Sequence, residues 1–179
     1  MPILITPQGV LFESNAISEY LEEQYPPKFH PSDAFTRAQN RAWIQSSDTL
    51  AWCSYYLTIR KTEQEFIQVV SEINKELNRL EAQLTQNKFF NSSEFSLVDA
   101  SYAPVFYRFY LIMKFKSDLI DWHKYPKVAV WYNNLLSDTE VLASVVEDIE
   151  EKFNLSVKTR QGYLARYLTR QPAASCLID

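Results

Sequence analysis

Glycine is almost missing from this sequence, with two in 179 residues. That scarcity disfavours phosphate-cradling loops and turn-rich β folds, which call on backbone at positive φ, and favours helices with short connections. Cysteine is as rare: Cys53 and Cys176 stand far apart. A disulfide framework is therefore not expected, and a reducing cytoplasm is the default location. Apolar runs such as 100–107 are too short and too interrupted to span a bilayer, so no membrane partner is expected. The early apolar residues lack a basic lead and are broken by Pro7, Gly9 and Glu13, which does not read as a signal peptide. No element gathers lysine and arginine into a stripe. With a net charge of −4 and a pI near 5.3, nucleic acid is not an expected partner. His30 and His123 have neither metal-ligand spacing nor an obvious acid partner, so both read as surface or loop histidines and no metal is expected.

What remains is rich in core-forming material. The hydrophobic share is 46% and the aromatic share 15%, ample for a real core, and the length allows one domain or one and a fraction. Residues 3–6 and 10–12 read as short strands around the turn chemistry of Pro7-Gln8-Gly9. A helix is expected over 14–24, with Ile17, Tyr20 and Leu21 on one face and Glu19, Glu22 and Glu23 toward water. Pro26-Pro27 ends it, and the proline-rich residues 26–32 are the best linker.

From residue 33 onward only helices are expected. Ser32 or Asp33 caps a long one reaching about Ile59, with Phe35, Trp43, Trp52 and Tyr56 as aromatic inner residues. Thr62-Glu63-Gln64-Glu65 is a capping box. It opens an amphipathic helix carrying Phe66, Val69, Val70, Ile73, Leu77, Leu80 and Leu84 at three-and-four spacing. Ser96-Leu97-Val98-Asp99 is a second capping box, with Asp99 as a structural cap worth ~1 kcal/mol. Its helix faces inward with Tyr102, Val105, Phe106 and Phe109, and Pro104 should kink it. Further helices are expected over 126–136, 140–153 and 156–167.

Three segments resemble the glutathione S-transferase family: the stretch from Pro2 to Ile17, Phe95-Ser96-Leu97-Val98-Asp99-Ala100 with Ala103-Pro104, and the closing segments around Tyr125-Pro126, Trp131, Glu151-Lys152-Phe153 and Gly162-Tyr163-Leu164. The last is similar to bacterial, omega-like members. The resemblance implies a mostly α fold: a complete C-terminal helical bundle preceded by a partial thioredoxin-like β-hairpin and helix. Residues 1–25 would be the partial glutathione-binding domain, 26–32 the linker, 33–168 the all-helical domain and 169–179 a tail. The bundle is expected to fold, with the first thirty residues depending on it or on a partner chain.

The resemblance also supplies a candidate site. Pro2 matches the family's cis-proline and Met1 the residue that pairs with glutathione through its backbone, although Pro2 can equally be an ordinary N-terminal proline. Glu13-Ser14 matches the pair that grips the γ-glutamyl end. Glu13 suits the ammonium. Ser14, beside unpaired N–H groups and the positive end of a helix, suits the carboxylate. The plainer reading makes Ser14 an N-cap and Glu13 a solvated acid. Tyr55, Tyr56 and Tyr110 are candidates for a hydrophobic acceptor pocket, or are simply core.

Glutathione transfer needs a thiolate. A free thiol has a pKa near 8.5, and lowering it by two units takes ~2.7 kcal/mol. The family residue that does this, a Tyr, Ser or Cys, would lie before Met1, so no catalytic residue is expected in the chain. Cys53 packs more naturally as a small apolar residue. The function implied is glutathione conjugation or thiol transfer, with glutathione as substrate and a homodimer formed through the helix after Ser14 and the first bundle helices. The alternative is a non-catalytic interaction module of the kind found in translation or transcription assemblies. The stringent starvation proteins, which the Phe95 segment also resembles, are of that kind.

Overall fold

The computed structural model describes residues 2–168. It begins with a hairpin in which β1 (Ile3–Thr6) pairs antiparallel with β2 (Gly9–Phe12), Ile3 opposite Phe12 and Thr6 opposite Gly9. Gly9 stands at φ 147°, a conformation that a side chain would oppose. The Thr6 hydroxyl locks the turn, accepting from Gln8 N at 3.2 Å and donating to Gly9 O at 3.0 Å. Alternation sends Leu4 and Leu11 inward and leaves Ile3, Ile5, Val10 and Phe12 on one exposed face.

Helix α1 (Ser14–Gln24) follows. Its Glu22 does not face water as the spacing suggests. It is buried and accepts from the backbone N–H groups of Phe29, at 2.9 and 3.1 Å, and His30, at 3.0 Å. The linker turns back over α1, and its loose N–H groups must find acceptors. Lys28 Nζ adds a bond to the Glu22 carbonyl.

The bundle consists of α2 (Ala34–Ile59), α3 (Glu63–Gln83), α4 (Leu97–Met113) and α5 (Pro126–Leu136). Asp33 caps α2 by accepting from Thr36 N at 2.8 Å. Thr62 and Glu65 form the reciprocal box on α3. The core stripe of α2 is Ile44, Ser47, Leu50, Cys53, Ser54, Leu57 and Thr58. Trp52 lies about 200° around the helix from Leu50 and is 59% exposed, and Phe35, in the first turn, is 72% exposed. Neither is an inner residue. The buried hydroxyls of Ser47, Ser54 and Thr58 donate to carbonyls one turn back at 2.6–2.7 Å. Small polar residues can thus form the packed face while large aromatics lie outside it.

Helix α4 runs through Pro104 as one helix. Pro104 and Ala100, whose carbonyl loses its donor there, are both exposed, so solvent can reach the unpaired carbonyl. The core centres on Trp131 of α5, with the rings of Tyr102, Phe106 and Phe90 at 5.0, 5.1 and 5.4 Å. Glu81 of α3 accepts from Lys127 N and Val128 N at 3.0 Å, capping α5. Lys127 Nζ returns to the Glu81 and Leu84 carbonyls at 2.9 and 2.7 Å, closing the end of α3.

The closing region departs from expectation. In place of helices over 140–153 and 156–167 there are α6 (Thr139–Ala143) and α7 (Ile149–Arg160), then a 3-10 turn over Tyr163–Tyr167. Asp138 caps α6, accepting from Glu140 N and Val141 N. Helix α7 stops because Gln161 adopts φ 50° and Gly162 packs onto the end of α2. A Cβ on Gly162 would lie 2.2 Å from the Thr58 carbonyl oxygen. Tyr163 N then donates to Arg60 O at 2.6 Å, docking the closing turn. A second 3-10 turn, Trp122–Lys124, precedes α5. The expected tail over 169–179 lies outside the described residues.

Candidate functional site

Where the hairpin enters α1, the backbone takes an unusual conformation. Glu13 stands at φ 70°, ψ 121°. A residue with a Cβ held at positive φ carries ~1–3 kcal/mol of strain, and such positions concentrate where function fixes the backbone. Ile17 N donates to Glu13 O at 3.0 Å, so the carbonyl belongs to the helix while the side chain is thrown outward. No side chain caps α1, and Glu13 and Ser14 are exposed. Ser14 opens the helix. The N–H groups of its first turn and the positive end of its dipole therefore face solvent, a setting suited to a carboxylate. Pro2, directly before β1, is exposed. Met1 lies outside the described residues.

Beside Ser14, a cleft of about 350 Å³ runs between α1 and α2, lined by Asn15, Ser18, Glu19, Arg41 and Gln45 among others. Glu19 holds its two walls together. It accepts from Arg41 Nε at 3.1 Å and Nη2 at 2.5 Å and meets His30 Nε2 at 2.9 Å. The Arg41 hydrogen bond, followed by the His30 contacts, outweighs partial burial and brings the Glu19 carboxyl down to about 2. His30 is therefore not the partnerless surface histidine suggested by the sequence: its side chain is 3% exposed and paired with an acid. The partner sits eleven positions away on another element, beyond the reach of spacing rules.

The tyrosines fall into two groups. Tyr55 and Tyr56 are half-buried on α2 and form a shelf with Trp52. Trp52 stacks on Tyr56 at 6.1 Å and meets Tyr55 edge-on at 6.1 Å. Arg60 lies over Tyr56 at 4.9 Å and Arg160, from the end of α7, over Tyr55 at 4.8 Å. Tyr110 belongs elsewhere. Its ring packs on Tyr107 at 5.5 Å and carries Lys114, which pairs with Glu150 near the start of α7. Glu150 and Arg160 are about 15 Å apart along the helix, so Tyr110 joins a different cluster from Tyr55.

Burial raises the Cys53 thiol to about 11, with Glu72 and Glu76 adding to the effect. It is an inert packing residue. Ser96 and Asp99 are buried. The Asp99 carboxylate accepts from Ser96 N at 2.8 Å, Ser96 Oγ at 2.5 Å, Phe90 N at 2.9 Å and Trp131 Nε1 at 2.6 Å. All are structural contacts. Among the described residues no cluster of His, Cys, Asp and Glu is placed to hold a metal, and no helix is long and apolar enough to cross a membrane.

The entry to α1, the helical bundle behind it and the buried Asp99 cap fall on the segments by which the sequence resembles a known family, and comparison with known proteins agrees on the family. The model for the glutathione S-transferase C-terminal domain matches residues 38–134. The chain belongs to the glutathione S-transferase family. It is 30% identical over 151 residues to glutathione S-transferase omega-1 of Sus scrofa, covering 82% of this chain and 61% of that protein. It is 31% identical over 111 residues to a stringent starvation protein A homolog of Haemophilus ducreyi, covering 60% of this chain and 51% of that one. The chain thus spans between half and two thirds of the length of these relatives. Rice GST1, solved in complex with glutathione, shares the fold with a TM-score of 0.72 at 21% identity, over 91% of this chain and 75% of that one.

Proposed function

We propose that this chain binds glutathione at the entry to α1 and serves glutathione conjugation or thiol transfer. One observation carries the reading: in a member of this family, Glu13 is held at φ 70° beside an uncapped, exposed Ser14. In this reading Ser14 Oγ and the first-turn N–H groups receive the γ-glutamyl carboxylate, and Glu13 pairs with the ammonium. The strain at Glu13 holds its carboxylate clear of the helix that would otherwise draw it into a cap. Pro2 and Met1 frame the backbone contact to the cysteinyl part. Residues 1–25 act as the glutathione-binding part and 33–168 as the helical domain that carries the acceptor pocket, with Tyr55 and Tyr56 on its wall. A homodimer through α1 and α2 and a cytoplasmic setting complete the proposal.

Isothermal calorimetry with glutathione tests it. Binding to the chain is expected, weakened about tenfold in Ser14→Ala and in Glu13→Ala, the loss of roughly one charge-assisted hydrogen bond. Absence of heat for the unsubstituted chain, or equal affinity in all three proteins, would overturn the assignment.

A further inference from the structure

Helix α1 meets the bundle by its acidic face. Leu21 is exposed, Ile17 and Tyr20 are only half-buried, and the one buried residue of the helix is Glu22. Among the described residues, no apolar side chain before Trp43 belongs to the bundle core or packs against it. The ties between α1 and the bundle are polar instead, and they fall one turn apart. Near the end of α1, the Glu22 carboxylate accepts from Phe29 N and His30 N. Phe29 is itself anchored, edge-on against Phe95 at 6.5 Å, with its carbonyl accepting from Leu97 N at 3.4 Å. One turn closer to Ser14, Glu19 reaches across to Arg41 of α2 and to His30. The Arg41 side chain is 48% exposed and that of Glu19 26%, so ions in solution reach the pair. Apolar burial holds or strengthens as salt is added, whereas wetted charge pairs are screened. Small polar contacts within a chain also leave the parts they join free to move relative to one another.

We propose that the hairpin and α1 swing as one unit about a pivot at Glu22 and the linker, and that the Glu19–Arg41 pair is an ionic latch released by salt. The hairpin travels with α1, since Leu11 and Tyr20 line a common hollow on the side away from the bundle. Ser14 lies about 12 Å along the helix from Glu22, so the Ser14 end moves furthest. Opening widens the cleft beside Ser14 and uncovers its apolar lining on the bundle side, Ile44 and Leu97. Ionic strength thereby sets the fraction of time for which the segment carrying Glu13 and Ser14 is docked. Salt does this without protonating Glu19, and the motion is independent of whether glutathione binds.

The test uses the full chain carrying Ile44→Cys, alkylated with iodoacetamide, a neutral probe, and read peptide by peptide by mass spectrometry. Ile44 is 7% exposed and lines the cleft, so a thiol there reacts when α1 lifts away. Cys53, buried on the packed face of the same helix, is the internal reference, because it reacts only when the bundle itself opens. Alkylation at position 44 is expected to rise about tenfold between about 20 mM and about 1 M NaCl while Cys53 stays unmodified. Adding Arg41→Gln should make position 44 react fast at both salt concentrations. Arg41→Lys, which keeps the charge, should stay slow at low salt and quicken as salt is added. If Ile44→Cys disturbs the core, Cys53 reports it, and Leu97→Cys gives the same readout from the cleft wall on α4. A rate at position 44 that is independent of salt, or that falls with salt as for an apolar contact, would overturn the latch. So would a parallel rise at Cys53, which would show the bundle loosening as a whole. Because no step uses glutathione, failure of the latch and failure of the glutathione site are distinguishable.

Discussion

The carboxylate of Asp99 and the indole of Trp131 are joined by a 2.6 Å hydrogen bond between two fully buried side chains. The same carboxylate closes the start of α4 through Ser96 and fixes the preceding loop through Phe90 N. One side chain thus caps a helix, anchors a loop and orients the largest residue of the core. The cost of removing it exceeds that of a cap, because several buried donors lose their acceptor at once. Asp99→Ala is expected to destabilise by about 3–5 kcal/mol. Trp131→Phe, which leaves Asp99 bonded to Ser96 and Phe90, should cost less, about 1–3 kcal/mol. Urea unfolding of the two variants checks the order. A loss in Asp99→Ala no larger than the ~1 kcal/mol of an exposed cap would contradict it.

Strain at Glu13 makes an opposed prediction for stability and binding. Glycine tolerates φ 70° without penalty. Glu13→Gly is therefore expected to raise unfolding free energy by about 0.5–1 kcal/mol, the relieved strain less the chain entropy of glycine. Glutathione affinity should fall about tenfold with the loss of the carboxylate. Chemical denaturation and calorimetry on the same variant read both. A variant that is less stable and binds unchanged would show that the conformation serves the fold alone.

Much of this architecture is legible in the sequence because its signals are local. The box at Thr62 and Glu65, the apolar stripe of α3, the Ser96 to Asp99 cap and the proline that opens α5 are all patterns within a few residues. The misreadings share one cause, which is tertiary contact. Glu22 looks solvated until the linker folds back over it, and His30, in that linker, looks idle until it meets Glu19 of α1. Trp52 and Phe35 look like core because they are aromatic, whereas the packed face of α2 uses Ser47, Ser54 and Thr58, whose hydroxyls satisfy themselves within the helix. At the candidate site, Glu13 and Ser14 are expected from resemblance alone. The positive φ is not, because nothing in Glu13 itself demands it.

The Glu19 contacts predict how the first segment responds to acid. The folded carboxyl titrates at about 2 against an ordinary 4.5, chiefly through the Arg41 hydrogen bond. A depressed acid stabilises the folded state fully above the unfolded pKa, and that stability is lost as pH falls through the folded pKa. The loss should fall between about pH 4.5 and pH 2. After allowance for solvent around a pair on the cleft wall, it should amount to about 1–2 kcal/mol. Because the pairs join α1 and the linker to α2, the hairpin and α1 should loosen first, seen as proteolysis before residue 33 while the bundle stays intact. Glu19→Gln should show that loosening at neutral pH and lose the acid dependence. A variant cleaved no faster than the unsubstituted chain at pH 7 would refute the latch.

Gly162 sets how the chain closes. Its α-carbon lies so near the end of α2 that a methyl group would meet the Thr58 carbonyl oxygen at 2.2 Å and its carbon at 2.8 Å, both backbone atoms that cannot rotate away. Gly162→Ala must push the closing turn outward. That stretches the bond from Tyr163 N to Arg60 O and opens the contact between the Tyr163 and Phe66 rings, now 5.2 Å apart. The expected loss is about 1–3 kcal/mol, as for overpacking elsewhere in a dense interior. The same displacement moves the end of α7, which carries Arg160 over Tyr55. Glutathione affinity should stay unchanged in Gly162→Ala, because the entry to α1 is remote from this corner. Urea unfolding and calorimetry with glutathione on the variant check both: an unchanged unfolding free energy would contradict the close approach at Thr58, and a fall in glutathione affinity would point to general loosening instead of a local shift of the closing turn.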